Sequence, residues 1–197
     1  MPNIMNIEKT MRQLKVSPKI IAQMGFGREQ YFSEWQLQSI ITVLDNMEKR
    51  LTKEQILAVM ERQGCHKTGK YDKKYKTFGK ENAEKPLSEK LKTAVDTAFD
   101  SDIPYINDIG NIVLEVRCYI DGDNSAFSLA SYHCASRIAK ADKPLRIPHT
   151  FCGCCAGHKM YHWQNALGIK LQLFSIDISP NKNEKSPMRV FTYKIIN

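Results

Sequence analysis

The chain contains no stretch approaching the roughly 18 consecutive apolar residues of a spanning helix, which excludes a helical membrane protein. Residues Met1 to Lys15 lack the uninterrupted apolar core of a signal peptide, so a cytoplasmic, thiol-reducing location is expected. There is no internal repeat and no low-complexity tail. Paired CxxC knuckles, zinc-finger spacing, a helix-turn-helix pair and an RNP-like aromatic strand are all missing, so the common base-reading modules are excluded. Acidic residues are in short supply: 21 Asp and Glu stand against 29 Lys and Arg, for a net charge of +8. A pI near 9.1 invites a nucleic-acid reading. The surplus is local, however, with seven lysines against three carboxylates between Lys67 and Lys85. A solvated lysine-rich face explains such a segment, and nucleic-acid binding through it is the unfavoured alternative.

What remains is ordinary globular material, 25% charged and 42% hydrophobic over 197 residues, enough for one sizeable core. One domain, 1–197, is expected, with a mainly helical half over 1–100 and an α+β half over 101–197. Ser17-Pro18 opens a helix that closes near Gly25. Ser33-Glu34-Trp35-Gln36 and Thr52-Lys53-Glu54-Gln55 are capping boxes, each followed by apolar residues at helical spacing. Tyr71, Tyr75 and Phe78 recur at helical spacing among the lysines, which reads as an amphipathic helix laid on the core rather than a base-stacking platform. Pro86-Leu87-Ser88 starts a further helix, and the run Asp100 to Pro104 breaks it.

The period then changes. Ile112, Leu114, Val116, Cys118 and Ile120 alternate and predict a half-buried strand that ends at Asp121-Gly122-Asp123-Asn124. Glu115 and Arg117 share its other face. Residues 126–137 are ambiguous between helix and strand. A helix over Lys159 to Gly168 and strands over 169–178 and 188–196 complete the chain, with Phe191, Tyr193 and Ile195 facing the core. The fold class is therefore α+β: a helical N-terminal layer packed on a C-terminal, mostly antiparallel sheet with a strand–helix–strand–strand core.

Candidate chemistry centres on Phe151-Cys152-Gly153-Cys154-Cys155-Ala156-Gly157-His158, which holds three of the six cysteines. Thiols at a helix start meet unpaired N–H groups, which favour thiolate. Cys155 with His158 or His133 is thus a nucleophile–base candidate, with backbone N–H groups as an oxyanion hole. Cys152 and Cys154, joined by the distant Cys134 and Cys65, are candidate zinc ligands, since a tetrahedral site needs about four N or S donors. His66 adjoins Cys65, and either is equally a residue at a helix end. His158, His162, Tyr161 and Tyr132 are the candidate ligand-binding side chains. His162 lies one turn beyond His158 and reaches the same ligand or hydrogen-bonds across the sheet.

The order of these features over residues 112–196 resembles the vinyl reductase-like small-molecule-binding domains and the related thiazoline-carboxylate hydrolase-like proteins. Cys134, the Thr150 to Gly157 motif, the helix to Gly168, the strand Ile169 to Ile178 and the closing strand Arg189 to Ile195 carry the resemblance. It implies a ligand pocket in an α+β domain and cysteines that hold zinc. Such domains often place a cysteine before the Phe of the last strand, and Met188-Arg189-Val190-Phe191 supplies none. The expected function is binding of a small molecule, with zinc as the candidate cofactor. A cysteine-dependent hydrolase acting on a small C–N or C–S substrate is the enzymatic alternative.

Overall fold

The computed structural model describes residues 2–27, 35–64, 67–117, 147–179 and 188–196. Among them are seven α-helices: α1 (Ile4–Gln13), α2 (Pro18–Ala22), α3 (Trp35–Arg50), α4 (Lys53–Met60), α5 (Gly69–Glu81), α6 (Leu87–Asp96) and α7 (Gly153–Leu167). Four strands, β1 (Tyr105–Ile106), β2 (Ile112–Arg117), β3 (Lys170–Ser179) and β4 (Met188–Ile196), form one antiparallel sheet in the order β1-β2-β4-β3. The α+β class, with helices first and sheet last, is as the sequence predicts. The capping box at Ser33 and the strand end at Cys118 fall outside the described residues.

Side-chain caps fix the starts of α1 and α4, whereas Ser17 makes no side-chain cap at α2. Thr52 Oγ1 accepts from the Gln55 amide at 3.2 Å while Gln55 Oε1 accepts from the Thr52 amide at 3.0 Å, so the box at α4 closes in both directions. The helix α1 was not anticipated. Asn3 caps it through Oδ1, which accepts from the Asn6 amide, and it buries Ile4, Ile7, Thr10 and Met11. Its charged residues are spaced between these positions, which makes the segment amphipathic rather than unstructured.

Two cores lie on opposite sides of α7. The first joins α1 to α4 with Ile147, Phe151 and Cys154. The second joins the inner face of the sheet (Ile112, Leu114, Leu171, Leu173, Phe191, Tyr193) to α5, α6 and the Ala156, Met160 and Trp163 side of α7. The expected helix of 159–167 therefore begins six residues earlier, behind a 3-10 turn over His149–Cys152. Glu48 of α3 holds that turn: its Oε1 accepts from the Thr150 amide at 2.9 Å and from Thr150 Oγ1 at 2.6 Å.

Close approach decides where α7 sits. A Cβ added at Gly157 would stand 2.3 Å from the Gln63 carbonyl oxygen, so the end of α4 lies on the first turns of α7. A Cβ at Gly79 of α5 would stand 2.1 Å from the Asn165 carbonyl oxygen. The buried Gln63 continues the α4 contact, accepting from Asn6 Nδ2 at 3.0 Å and donating to the Val59 carbonyl at 3.1 Å. At its far end α7 stops on Gly168 in the left-handed region, φ 68°. The buried Lys90 ammonium donates to the Leu167 carbonyl at 3.0 Å, a cation on the negative end of the helix.

In the sheet, β2 and β4 are the inner strands, with Phe191 of β4 opposite Leu114 of β2 and Ile176 of β3. The sequence places Ile195 in the core, but it is 37% exposed, near the end of β4, although its partner Leu171 is buried. Strand β3 forms one edge of the described sheet, and two amides in its first half are occupied by side chains. The Leu171 amide donates to Gln164 Oε1 at 2.7 Å and the Leu173 amide to Glu61 Oε2 at 3.2 Å, which blunts the edge against further pairing.

Candidate functional site

The polar groups of the second core gather where α5 crosses α7. Tyr71 and Tyr75, one turn apart on α5, turn inward toward Asp100, which follows α6 in the connector to β1. Asp100 Oδ2 accepts from the Tyr71 hydroxyl at 2.6 Å and from the Tyr75 hydroxyl. Its Oδ1 accepts from the Asp102 amide at 3.1 Å and from Ser101 Oγ at 3.2 Å. Lys159 of α7 completes the set, 2.8 Å from Asp102 and 3.5 Å from Asp100.

Burial alone would push the Asp100 carboxyl upward, but the Lys159 ammonium and the two phenols outweigh it and hold the group well below the usual carboxylate range. Burial likewise works against the Lys159 charge, and the two aspartates more than offset it, raising its pKa. Both phenols are raised, chiefly by burial, Tyr75 far above the ordinary tyrosine value. They therefore stay protonated and act as donors, not as bases. The cluster is a charge-fixed clamp on the connector.

On the outer side of that clamp lies a groove of about 660 Å³ between α5 and α6. Lys70, Lys73 and Lys74 line it at the start of α5, and Glu81 and Asn82 line it at the end. Phe78 and Phe99 form its floor, with ring centroids 4.4 Å apart, and Thr93 and Thr97 of the α6 side face them. The Lys74 ammonium lies 4.4 Å from the Phe99 ring centroid and donates to the Phe99 carbonyl, fixing that residue to α5. Tyr75 and Phe78 are buried and Tyr71 half-buried, so the aromatic stripe of this helix lies on the core, with Lys74 and Phe78 one turn apart on the groove side.

The cysteine motif is divided by the helix. Cys152 is buried in the sheet-side core and Cys154 in the core of the N-terminal helices, because two residues of helical turn point them apart. That arrangement places the two side chains in different cores. Among the described residues no three His, Cys, Asp or Glu side chains converge as a metal set. Cys155, the third residue of α7, is half-buried. His158 is also half-buried, stacked 5.7 Å from Tyr71 at an interplanar angle of 19°. His162 is fully buried, its ring 4.8 Å from both Tyr71 and Tyr75 and 4.6 Å from His158. Tyr161 is half-buried beneath the Lys67 and Lys76 ammoniums. The structure brings His158, His162 and Tyr161 together against α5, while Cys65, Tyr132, His133 and Cys134 lie outside the described residues.

Asp100, Lys159 and the groove were not foreseen. Lys159 did carry a signal, since it falls in the apolar arc with Ala156, Met160 and Trp163. A lysine there needs a buried carboxylate partner. No protein-family model, curated protein or solved structure matches the chain, so the resemblance of residues 112–196 stands on its residue pattern alone.

Proposed function

We propose that the protein binds a small organic anion in the groove between α5 and α6. The groove itself carries the reading: a concavity of small-molecule size with cations at one end and an apolar floor. The clamp at Asp100 supports it, because Lys159 and the two tyrosines hold the connector that carries Phe99, so that one wall is preformed. A phosphate-tracking surface would continue its positive charge, whereas this groove closes on Glu81. A panel of small carboxylates, sulfonates and nucleoside monophosphates, followed by amide NMR, tests the reading. Saturable shifts over residues 70–81 and 93–99, lost in Thr97→Trp, are expected. Tighter, strongly salt-dependent binding of a short single-stranded DNA at the same lysines would favour the nucleic-acid reading instead.

A second reading is favoured by one observation: Cys155 is half-buried at a helix start while Cys152 and Cys154 are buried, and His158 follows one turn later. That is the placement of a reactive thiol. Peptide mapping after brief iodoacetamide treatment should find Cys155 modified well before Cys152 and Cys154. Equal, slow modification of all three would remove the cysteine-hydrolase reading. Zinc held by some of Cys134, Cys152, Cys154 and Cys65 is the cofactor reading, and elemental analysis of protein purified without added metal decides it.

A further inference from the structure

We infer that the occupant of the α5–α6 groove is an aromatic acid with a hydrogen-bond donor at its far end, anion toward Lys70 and Lys73 and donor toward Glu81. This rests on the reading of the groove as a small-anion site and specifies its ligand class.

The groove is polarised along α5. Lys70 and Lys73 stand one turn apart near its start and Glu81 is its last residue. Eight residues of helix separate Lys73 from Glu81, about 12 Å of rise, which a two-ring molecule with substituents at both ends can span. The three lysines are not equivalent. Lys74 is engaged with the ring and carbonyl of Phe99, whereas Lys70 and Lys73 form no ion pair among the described residues. Asp72, the nearest carboxylate in sequence, is held by Lys76 at 2.8 Å. Two cations that form no ion pair among the described residues therefore stand at one end of the groove, beyond the Lys74 ammonium that lies over Phe99.

The floor selects a ring over a chain. The Phe78 and Phe99 rings are tilted 43° to each other, and Phe99 packs its other side on Trp163 and Tyr75. With the Lys74 ammonium over the Phe99 ring and Phe78 only 6% exposed, the floor presents aromatic edges, which an offset or edge-on ring fits better than an alkyl tail. On the facing wall Thr93 Oγ1 donates to the Glu89 carbonyl and Thr97 Oγ1 to the Thr93 carbonyl, both at 2.8 Å. Those hydroxyl protons are occupied, and Thr93 Oγ1 also accepts from the Lys85 ammonium at 3.2 Å, so donation to a ligand's anion falls to the lysine end of the groove.

The test titrates the full chain with naphthalene-sulfonate, with the same molecule bearing an amine on its far ring, and with octane-sulfonate, each followed by amide NMR. Naphthalene-sulfonate should shift residues 70–81 and 93–99 saturably, and Lys73→Glu should weaken it about tenfold without changing the melting temperature. The amine should tighten binding several-fold, and Glu81→Lys should abolish that gain. Octane-sulfonate binding as tightly as naphthalene-sulfonate, or an amine gain that survives Glu81→Lys, would overturn the ligand class and leave the small-anion site standing. No groove shift with any of the three, nor with the wider anion panel, would overturn both.

Discussion

A carboxylate removed from water keeps its charge only if donors replace the solvent, and Asp100 has them on both oxygens. Asp100→Asn retains an acceptor but turns an amide donor toward phenols or an ammonium that are donors themselves. A loss of about 1–3 kcal/mol is expected, read as a lower midpoint in urea unfolding. The pH dependence follows from the direction of the shift. The folded-state pKa lies below the unfolded value, so the unfolded chain binds the extra proton as pH falls. The stabilisation is complete above about pH 5 and is lost progressively below it. Urea midpoints measured across that range should fall for the native chain and fall less for Asp100→Asn. Equal slopes would show that Asp100 is not the group that matters in acid.

Between elements, some of the closest approaches are made at residues with no side chain. Gly157→Ala places a methyl group against backbone carbonyls of α4 that have no rotamer to yield, and an overpacking cost of about 1–3 kcal/mol or more is expected. Gly110→Ala, in open space at φ 80°, should cost about 1 kcal/mol through backbone strain alone. Comparing the two melting temperatures checks whether close approach exceeds strain. Such contacts explain what was and was not legible in the sequence. Helix α4, the strands β2 to β4 and the buried aromatics of α5 each write their pattern within a dozen residues, while the buried face of β4 ends at Tyr193 rather than Ile195. The start of α7 was misplaced because Gly153 and Gly157 look like turn residues until α4 is seen lying on them. Asp100 was read as part of a breaker because Lys159, 59 residues away, supplies the reason for its charge. The groove was invisible for the same reason: α5 and α6 are each ordinary, and only their packing makes a cavity.

At the scale of the molecule, α7 is shared by both cores, so a defect in one should be felt in the other. Met11→Ala, deep in the N-terminal core, should cost about 2–5 kcal/mol. With Trp35 replaced by Phe, the emission of Trp163 in the sheet-side core reports whether that loss is transmitted. Its unfolding midpoint should shift together with the helical circular dichroism, and an unmoved Trp163 transition would mean that the two cores unfold separately. The inner position of β4 has a further consequence, for synthesis rather than stability. Strand β2 is made some seventy residues before β4, yet β4 is the neighbour that pairs with both β2 and β3. On the ribosome the helices of the first core can assemble while β2 waits with its inner edge bare. The sheet closes only after residues 188–196 have emerged, so a pause or premature stop ahead of Met188 removes the seam of the sheet rather than an outer strand. A nascent chain halted there offers two unpaired strand edges to chaperones and to its neighbours on the polysome.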